Sequence, residues 1–350
     1  MSPMHRRAFL AATTAALAAP AAVRAGMAAG WRALAPAPWA VQEIYCALWR
    51  GGILMAGGLV GRGGGQLHIE DRAALYSVAE DRWSEVARLP QARHHPMLVA
   101  QGDAVWALGG YGRSPAGDWT AMTEVWRFDG EGWTPDAAMP QPQCETTGVS
   151  IGDRIHLITG RAPAGAANGQ WNDQADIALH QVFMPADGRW ETARPCPMAR
   201  NSAAAAVLDG AIFVAGGRTV GGGGTGRLDR YDPVADRWDR LAPIPRSYAA
   251  NNQTGGGLAM AAAGGRLVAF GGEWFQRGGG GGVFAETWIY DPAADRWAAG
   301  PDMLTPRHGL GAVAVGETVY AVAGGAIVSG GGPTARLEAL TPGQVWSDGV

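Results

Sequence analysis

Cysteine is scarce in this chain. Cys46, Cys144 and Cys196 are the three among 350 residues, too few for a disulfide framework. In an oxidising compartment one pair can close, and Cys144 with Cys196, in neighbouring repeats, is the conceivable one; three buried free thiols is the expected state. An excess of one charge is also missing, since 28 basic and 31 acidic residues leave a formal net charge of −3. That provides no electrostatic footprint for nucleic acid or an anionic membrane. Past residue 25 no apolar run is long enough to span a bilayer, so stable membrane insertion is not expected. His94, His95 and His308 with Glu145 or Glu273 offer metal-ligand chemistry, but no compact His-x-His or Cys-x₂-Cys spacing occurs. Neighbouring histidines on a strand also point to opposite sides, so no metal is expected. The glycine-rich stretches 220–226 and 276–283 do not follow a strand and open a helix, as a phosphate cradle does. No serine occupies a nucleophile elbow. No cofactor is expected.

What is abundant is periodic. Trp31, Trp83, Trp133, Trp190, Trp238, Trp297 and Trp346 recur about every fifty residues. Gly58, Gly110, Gly160 and Gly217 each follow a tryptophan by 27 residues, and Gly272 and Gly325 follow at 34 and 28. Such a beat over most of a chain is a repeat architecture, which makes one closed body and overrides the length prior for two domains. Residues 1–25 stand apart. Arg6-Arg7 precede a short apolar run and small residues ending at Ala25, the layout of a cleaved export signal. His5-Arg6-Arg7-Ala8-Phe9-Leu10 resembles the twin-arginine signal. The expectation is a periplasmic domain over residues 26–350.

The best-kept repeat, residues 198–238, reads as four short strands separated by glycine and aspartate turns, one antiparallel sheet of a propeller. The paired glycines, the run Tyr231-Asp232-Pro233…Trp238 with its copy Tyr290-Asp291-Pro292…Trp297, and Pro306-Arg307 resemble the Kelch family. The resemblance spans about residues 31–346 and implies an all-β, six-bladed propeller with four strands per blade. Trp31–Pro36 matches Trp238–Pro243, a fourth strand, so the N-terminal strand is expected to complete blade six beside residues 336–340 and leave no free edge. The spaced tryptophans are read as packing between blades.

Alternation of strand direction puts the loops between strands two and three on the same face as the linkers between blades. Those loops are long, and the turns of the other face are minimal, so a site is expected at the elaborated mouth. Arg93, Arg200 and Arg307 recur at one repeat position and are read as structural. Residues that break the repeat are the candidates: Glu273 and His308 as acid and base, and His95, Glu145, Arg161, Trp171, Arg218, Tyr248 and Asn252 for binding. The arginines suit a carboxylate, the amides suit hydroxyls, and Trp171 suits a sugar ring. The overall plan is similar to the exported sialic-acid mutarotases of bacteria, which implies a sugar ligand and mutarotase or epimerase activity, although none of their catalytic residues aligns. The expected partner is therefore a sugar-like, anionic or polyhydroxylated small molecule. The alternative is a non-catalytic scaffold for a protein or peptide, and fold analogy does not decide between them.

Overall fold

A computed structural model describes residues 30–62, 66–246, 252–276 and 278–342. Residues 1–25, Tyr248 and Trp346 lie outside the described residues. Six antiparallel sheets follow one another along the chain. Blade one is Cys46–Trp49, Gly52–Ala56, Ala73–Ser77 and Arg82–Val86. Blade two is Met97–Gln101, Ala104–Leu108, Val125–Phe128 and Trp133–Asp136. Blade three is Thr147–Ile151, Arg154–Pro163, Gln174–Met184 and Arg189–Thr192. Blade four is Asn201–Leu208, Ala211–Thr219, Leu228–Asp232 and Arg237–Leu241. Blade five is Ala259–Ala263, Arg266–Phe270, Thr287–Asp291 and Arg296–Ala299.

Blade six supplies Gly311–Val315, Thr318–Val322 and Leu337–Leu340. Its fourth strand is the N-terminal Arg32–Ala33, with Arg32 opposite Ala339 and Ala33 opposite Glu338. The first strands of successive blades pack in a closed cycle. The molecule is therefore a six-bladed propeller closed by its own N-terminus, and the closure removes a free sheet edge.

The repeat residues hold neighbouring blades together. Indole N–H groups of Trp83, Trp133, Trp190, Trp238 and Trp297 donate to carbonyls of Ala35, Ala87, Ala137, Arg194 and Ala242, each on the linker of the preceding blade. The Tyr-Asp pairs add a second stitch. Tyr76, Tyr231 and Tyr290 donate their hydroxyls to Asp81, Asp236 and Asp295. Those carboxylates also accept the backbone N–H of Ala35, Arg194 and Ala242. Arg93, Arg200 and Arg307 are buried and pair with Glu124, Asp229 and Glu338 of their own blades at 3.1, 3.0 and 3.3 Å, a structural role. All three cysteines are buried free thiols.

The repeated glycine is a steric necessity. Gly58 has φ +101°, and a Cβ there would lie 2.4 Å from Ile44 and 2.7 Å from the Gln42 carbonyl. In blade six the equivalent residue is Gly324, not Gly325. Ala323 and Gly324 take the positive φ values of the pair, and Gly324 keeps the 27-residue distance from Trp297.

The glycine-rich loops are regular. Strands two and three of every blade are joined through a second hairpin that stands up around one mouth. These are Leu59–Arg62 with Gln66–Ile69, Tyr111–Ser114 with Gly117–Ala121, Glu273–Phe275 with Gly281–Val283, and Gly325–Ile327 with Gly331–Pro333. In blade three the long strands simply continue, and in blade four Arg218 and Thr219 pair with Gly224 and Gly223. Glycine here permits close strand pairing rather than irregular coil.

Candidate functional site

Fifteen residues before the repeated glycine of each blade lies an equivalent position: Glu43, His95, Glu145, Ser202, Gly257 and Gly309. All six have a left-handed backbone, with φ between 43° and 65°. Their peptide groups form a belt across the blades. Glu43 N–H donates to Gly309, His95 to Glu43, Ser202 to Glu145, Gly257 to Ser202 and Gly309 to Gly257. A non-glycine residue with positive φ carries a conformational cost, and here the belt bonds hold it. The result is a narrow waist that carries four polar side chains from four blades. One residue earlier, Gln42, His94, Cys144, Asn201, Gly256 and His308 bridge Leu59, Tyr111, Arg161, Arg218, Glu273 and Gly325, which each follow the repeated glycine. Two sets of six equivalent positions thus face the same mouth.

Above the belt the hairpins enclose a cavity of about 1130 Å³ whose lining includes Glu43, His95, Trp119, Glu145, Trp171, Arg218, Asn252, Glu273 and Phe275. That volume lies just above the ordinary range of ligand sites. Arg218 is the hub of its floor. It contacts the Glu273 carboxylate, approaches Glu145 Oε2 at 3.4 Å, and donates from Nε to Asn201 at 3.0 Å. Glu145 also accepts from Ser202 at 3.0 Å, and from Tyr111 and Trp171 at 3.2 Å each. Glu43 pairs with His95 Nε2 at 2.8 Å. His308 Nδ1 lies 3.6 Å from both Glu43 and Glu273, while its Nε2 donates to the Ile327 carbonyl at 2.9 Å.

The protonation states follow from these neighbours. Burial works to raise the Glu43 carboxyl, but the charge and hydrogen bond of His95, with His308 and Arg218, hold it well below the usual carboxylate range. Burial opposes the charge on His95, and Glu43 and Glu145 overcome it, so its pKa is raised. Glu145 is likewise favoured by burial as the acid, yet His95, Arg218 and Arg161 lower it. Burial disfavours the charge of Arg218, which Glu273, Glu145 and Glu43 more than restore. The floor therefore holds ionised groups of both signs.

The expected site residues converge, with differences in access. His95, Glu145, Trp171, Arg218, Asn252 and Glu273 line the cavity. Arg161 is buried beneath Trp171, 3.9 Å from the ring, and donates to the carbonyls of Trp171 and Gln174. It supports Glu145 rather than facing the cavity. His308 is buried behind Glu43 and Glu273. Tyr248 lies outside the described residues. His94 and His95 do not point to opposite sides, because the left-handed turn at His95 breaks the strand alternation and brings their Nδ1 atoms to 2.9 Å. Among the described residues no group of three or more His, Cys, Asp or Glu is arranged to hold a metal ion.

The Kelch motif profile matches residues 199–245. Kelch-like protein terF of Aspergillus terreus is 25% identical over 310 residues, covering 86% of this chain and 64% of that protein. Beta-scruin of Limulus polyphemus is 23% identical, over 79% of this chain and 29% of its own length. The solved structure of YjhT superposes with a TM-score of 0.71 at 13% identity, covering 87% of this chain and 95% of that one. This chain is a Kelch-repeat propeller. It spans 24% of the length of Kelch-like protein 34 of Homo sapiens and 64% of that of terF, and the likeness to YjhT speaks to the fold alone.

Within this Kelch propeller, sequence reasoning passed over Glu43, Ser202, Trp119 and Phe275. Glu43 and Ser202 were within reach of the text. Counting fifteen residues back from Gly58, Gly110, Gly160, Gly217 and Gly272 recovers five of the six belt positions, and the sixth follows once Gly324 replaces Gly325. Trp119 and Phe275 carry no such signal, since each sits in a hairpin whose pairing varies from blade to blade.

Proposed function

We propose that the elaborated mouth binds a small polyhydroxylated, sugar-like molecule and transfers protons at its hydroxyl groups. The observation that carries this reading is the cavity floor, where Glu43, Glu145 and Glu273 meet Arg218 and His95 at the base of one funnel. Carboxylates accept hydrogen bonds from hydroxyls, Arg218 and Asn252 donate, and the rings of Trp119, Trp171 and Phe275 offer stacking faces. Three carboxylates against Arg218, Arg161 and a charged His95 come close to neutrality, which favours a neutral polyol over an acidic one. Opening and closing a sugar ring fits such a floor. The anomeric hydroxyl gives up its proton, the ring oxygen gains one, and the net proton count is unchanged. His95 with Glu43 serves as donor, and Glu273 across the floor as acceptor. Residues 1–25, read as an export signal, put this activity in the periplasm.

A second reading is favoured by the rim. Val220 and Ile327, on hairpins of blades four and six, are 51% and 59% exposed, apolar points suited to a docked peptide or protein. Thermal-shift screening against neutral and acidic sugars separates the two readings, since a ligand of the folded state raises the melting temperature. A shift with a neutral sugar that is lost in Glu43→Gln, together with accelerated anomer exchange by NMR, supports the first. No shift with any sugar, and peptide binding abolished by Val220→Asp and Ile327→Asp, replaces it with the second.

A further inference from the structure

We propose that His94 is a positioning residue that keeps a proton on the His95–Glu43 couple and so makes that couple the acid of the cavity floor. His94 Nε2 lies 3.0 Å from the backbone carbonyl of Asp118, and a carbonyl only accepts, so Nε2 carries the proton. The ring is buried against Tyr111 and Trp119, whose centroids lie 5.1 and 4.5 Å away, an environment that does not tolerate a charged imidazole. His94 is therefore neutral, and its Nδ1 is a bare acceptor. The atom facing it at 2.9 Å is His95 Nδ1, which must then be the donor.

With Nδ1–H committed to His94, the other nitrogen of His95 decides the charge. Nε2 lies 2.8 Å from Glu43 Oε2. A bare nitrogen against a carboxylate would set lone pair against lone pair, so a proton lies between them. Burial would favour a protonated Glu43, but His95, His308 and Arg218 hold it ionised, so the couple is an imidazolium beside a carboxylate. Glu43, Glu145, Tyr45, Tyr111, Trp119 and Arg218 are the groups around His95. Glu43 and Glu145 favour the positive ring, whereas Arg218 and burial oppose it. Burial and the neighbouring charge of His95 push His94 down to about 3, in keeping with its neutral role. Both His95 and Glu43 line the cavity and His94 does not, so His94 acts through its neighbour.

Only the use of this proton rests on the proposed sugar reading; its location does not. Giving the proton to a ligand oxygen leaves neutral His95, still bonded through Nδ1–H to His94, and an ionised Glu43. The couple is reloaded when the ring closes again and that same oxygen returns its proton, while Glu273 gives back the proton it took from the anomeric hydroxyl.

The test is ¹⁵N NMR of histidine-labelled protein without ligand, with His95 assigned from His95→Gln. In the wild type both nitrogens of His95 should be predominantly protonated at about pH 6.5, where a free imidazole is about half charged, with a titration midpoint above that value. His94→Phe, which removes the acceptor, should lower that midpoint by about one pH unit, a tenfold loss of proton affinity. His94→Gln keeps a carbonyl acceptor and should retain the raised midpoint, and it serves if the Phe variant fails to fold. A wild-type His95 midpoint at or below about 6.5, or an unchanged midpoint in His94→Phe, overturns the proposal. Failure of every sugar in the thermal-shift screen would sink the ligand reading and leave these spectra unaffected.

Discussion

The three arginines at one repeat position provide a controlled comparison of buried charge. Arg200 and Asp229 are both fully buried and lie 3.0 Å apart, and Arg227 Nε donates to both oxygens of the same carboxylate. Arg93 is as deeply buried as Arg200, but its partner Glu124 is 45% exposed. Asp229→Asn removes the charge while keeping the shape, and it strands the Arg200 guanidinium in the blade without a counter-ion. Breaking a buried pair in this way costs about 3–5 kcal/mol. Glu124→Gln removes a half-solvated partner from an arginine that also bonds Gln91 and the Ala92 carbonyl and stacks 4.7 Å from Trp126, so it costs about 0–1 kcal/mol. For a domain of about 310 residues the unfolding entropy near the midpoint is roughly 0.65 kcal/mol per degree. The expected loss in Tm is then roughly 5–8 °C for Asp229→Asn and at most about 1.5 °C for Glu124→Gln. Scanning calorimetry, with urea melts to check that the m-value is unchanged, measures both. Equal losses would refute the reasoning, since they would mean that the exposure of the carboxylate does not govern the cost.

Two further outcomes are expected. Trp238→Phe keeps the ring in place but loses the donation to Arg194, and urea melts should show a cost of about 1 kcal/mol; a loss above 3 kcal/mol would point to ring packing instead of the hydrogen bond. Acid should destabilise the fold through His156 and His180, a buried pair with Nδ1 to Nε2 at 2.8 Å in which His156 Nε2 has no partner. Burial, and for His156 its neighbour His180, push the two down to about 3 and about 4. The folded values lie below the unfolded one, so the unfolded chain binds more protons. The stability is complete above about pH 6.5 and is lost as pH falls toward 4, on the order of 3 kcal/mol for each ring and about 6 kcal/mol for the pair. In His156→Leu/His180→Phe the difference in stability between pH 7 and pH 4.5 should shrink, and an unchanged difference would remove these rings from the account.

The periodic tryptophans and glycines carried the architecture in the text because each blade solves the same packing problem. The wedge between neighbouring sheets takes an indole at Trp83 and again at Trp297, and the close approach at Gly58 excludes a Cβ wherever it recurs. The N-terminal strand was legible for the same reason, as a copy of a fourth strand without three others beside it. The candidate site was legible only as a face. His95, Glu145, Arg218 and Glu273 stood out as breaks in the repeat, but a break does not say which way a side chain points. That direction came from the left-handed belt, which turned His95 onto the side of His94 and raised Glu43 to the floor. Access was decided later still. Arg161 and Arg218 occupy equivalent positions, yet the hairpin carrying Trp171 covers the first, while Arg218 lines the cavity. Local sequence determines which residues reach the mouth, because backbone geometry repeats every fifty residues. Burial, pairing and protonation depend on side chains drawn from different blades, such as Glu145 and Arg218, 73 residues apart, and only the closed ring brings them within reach.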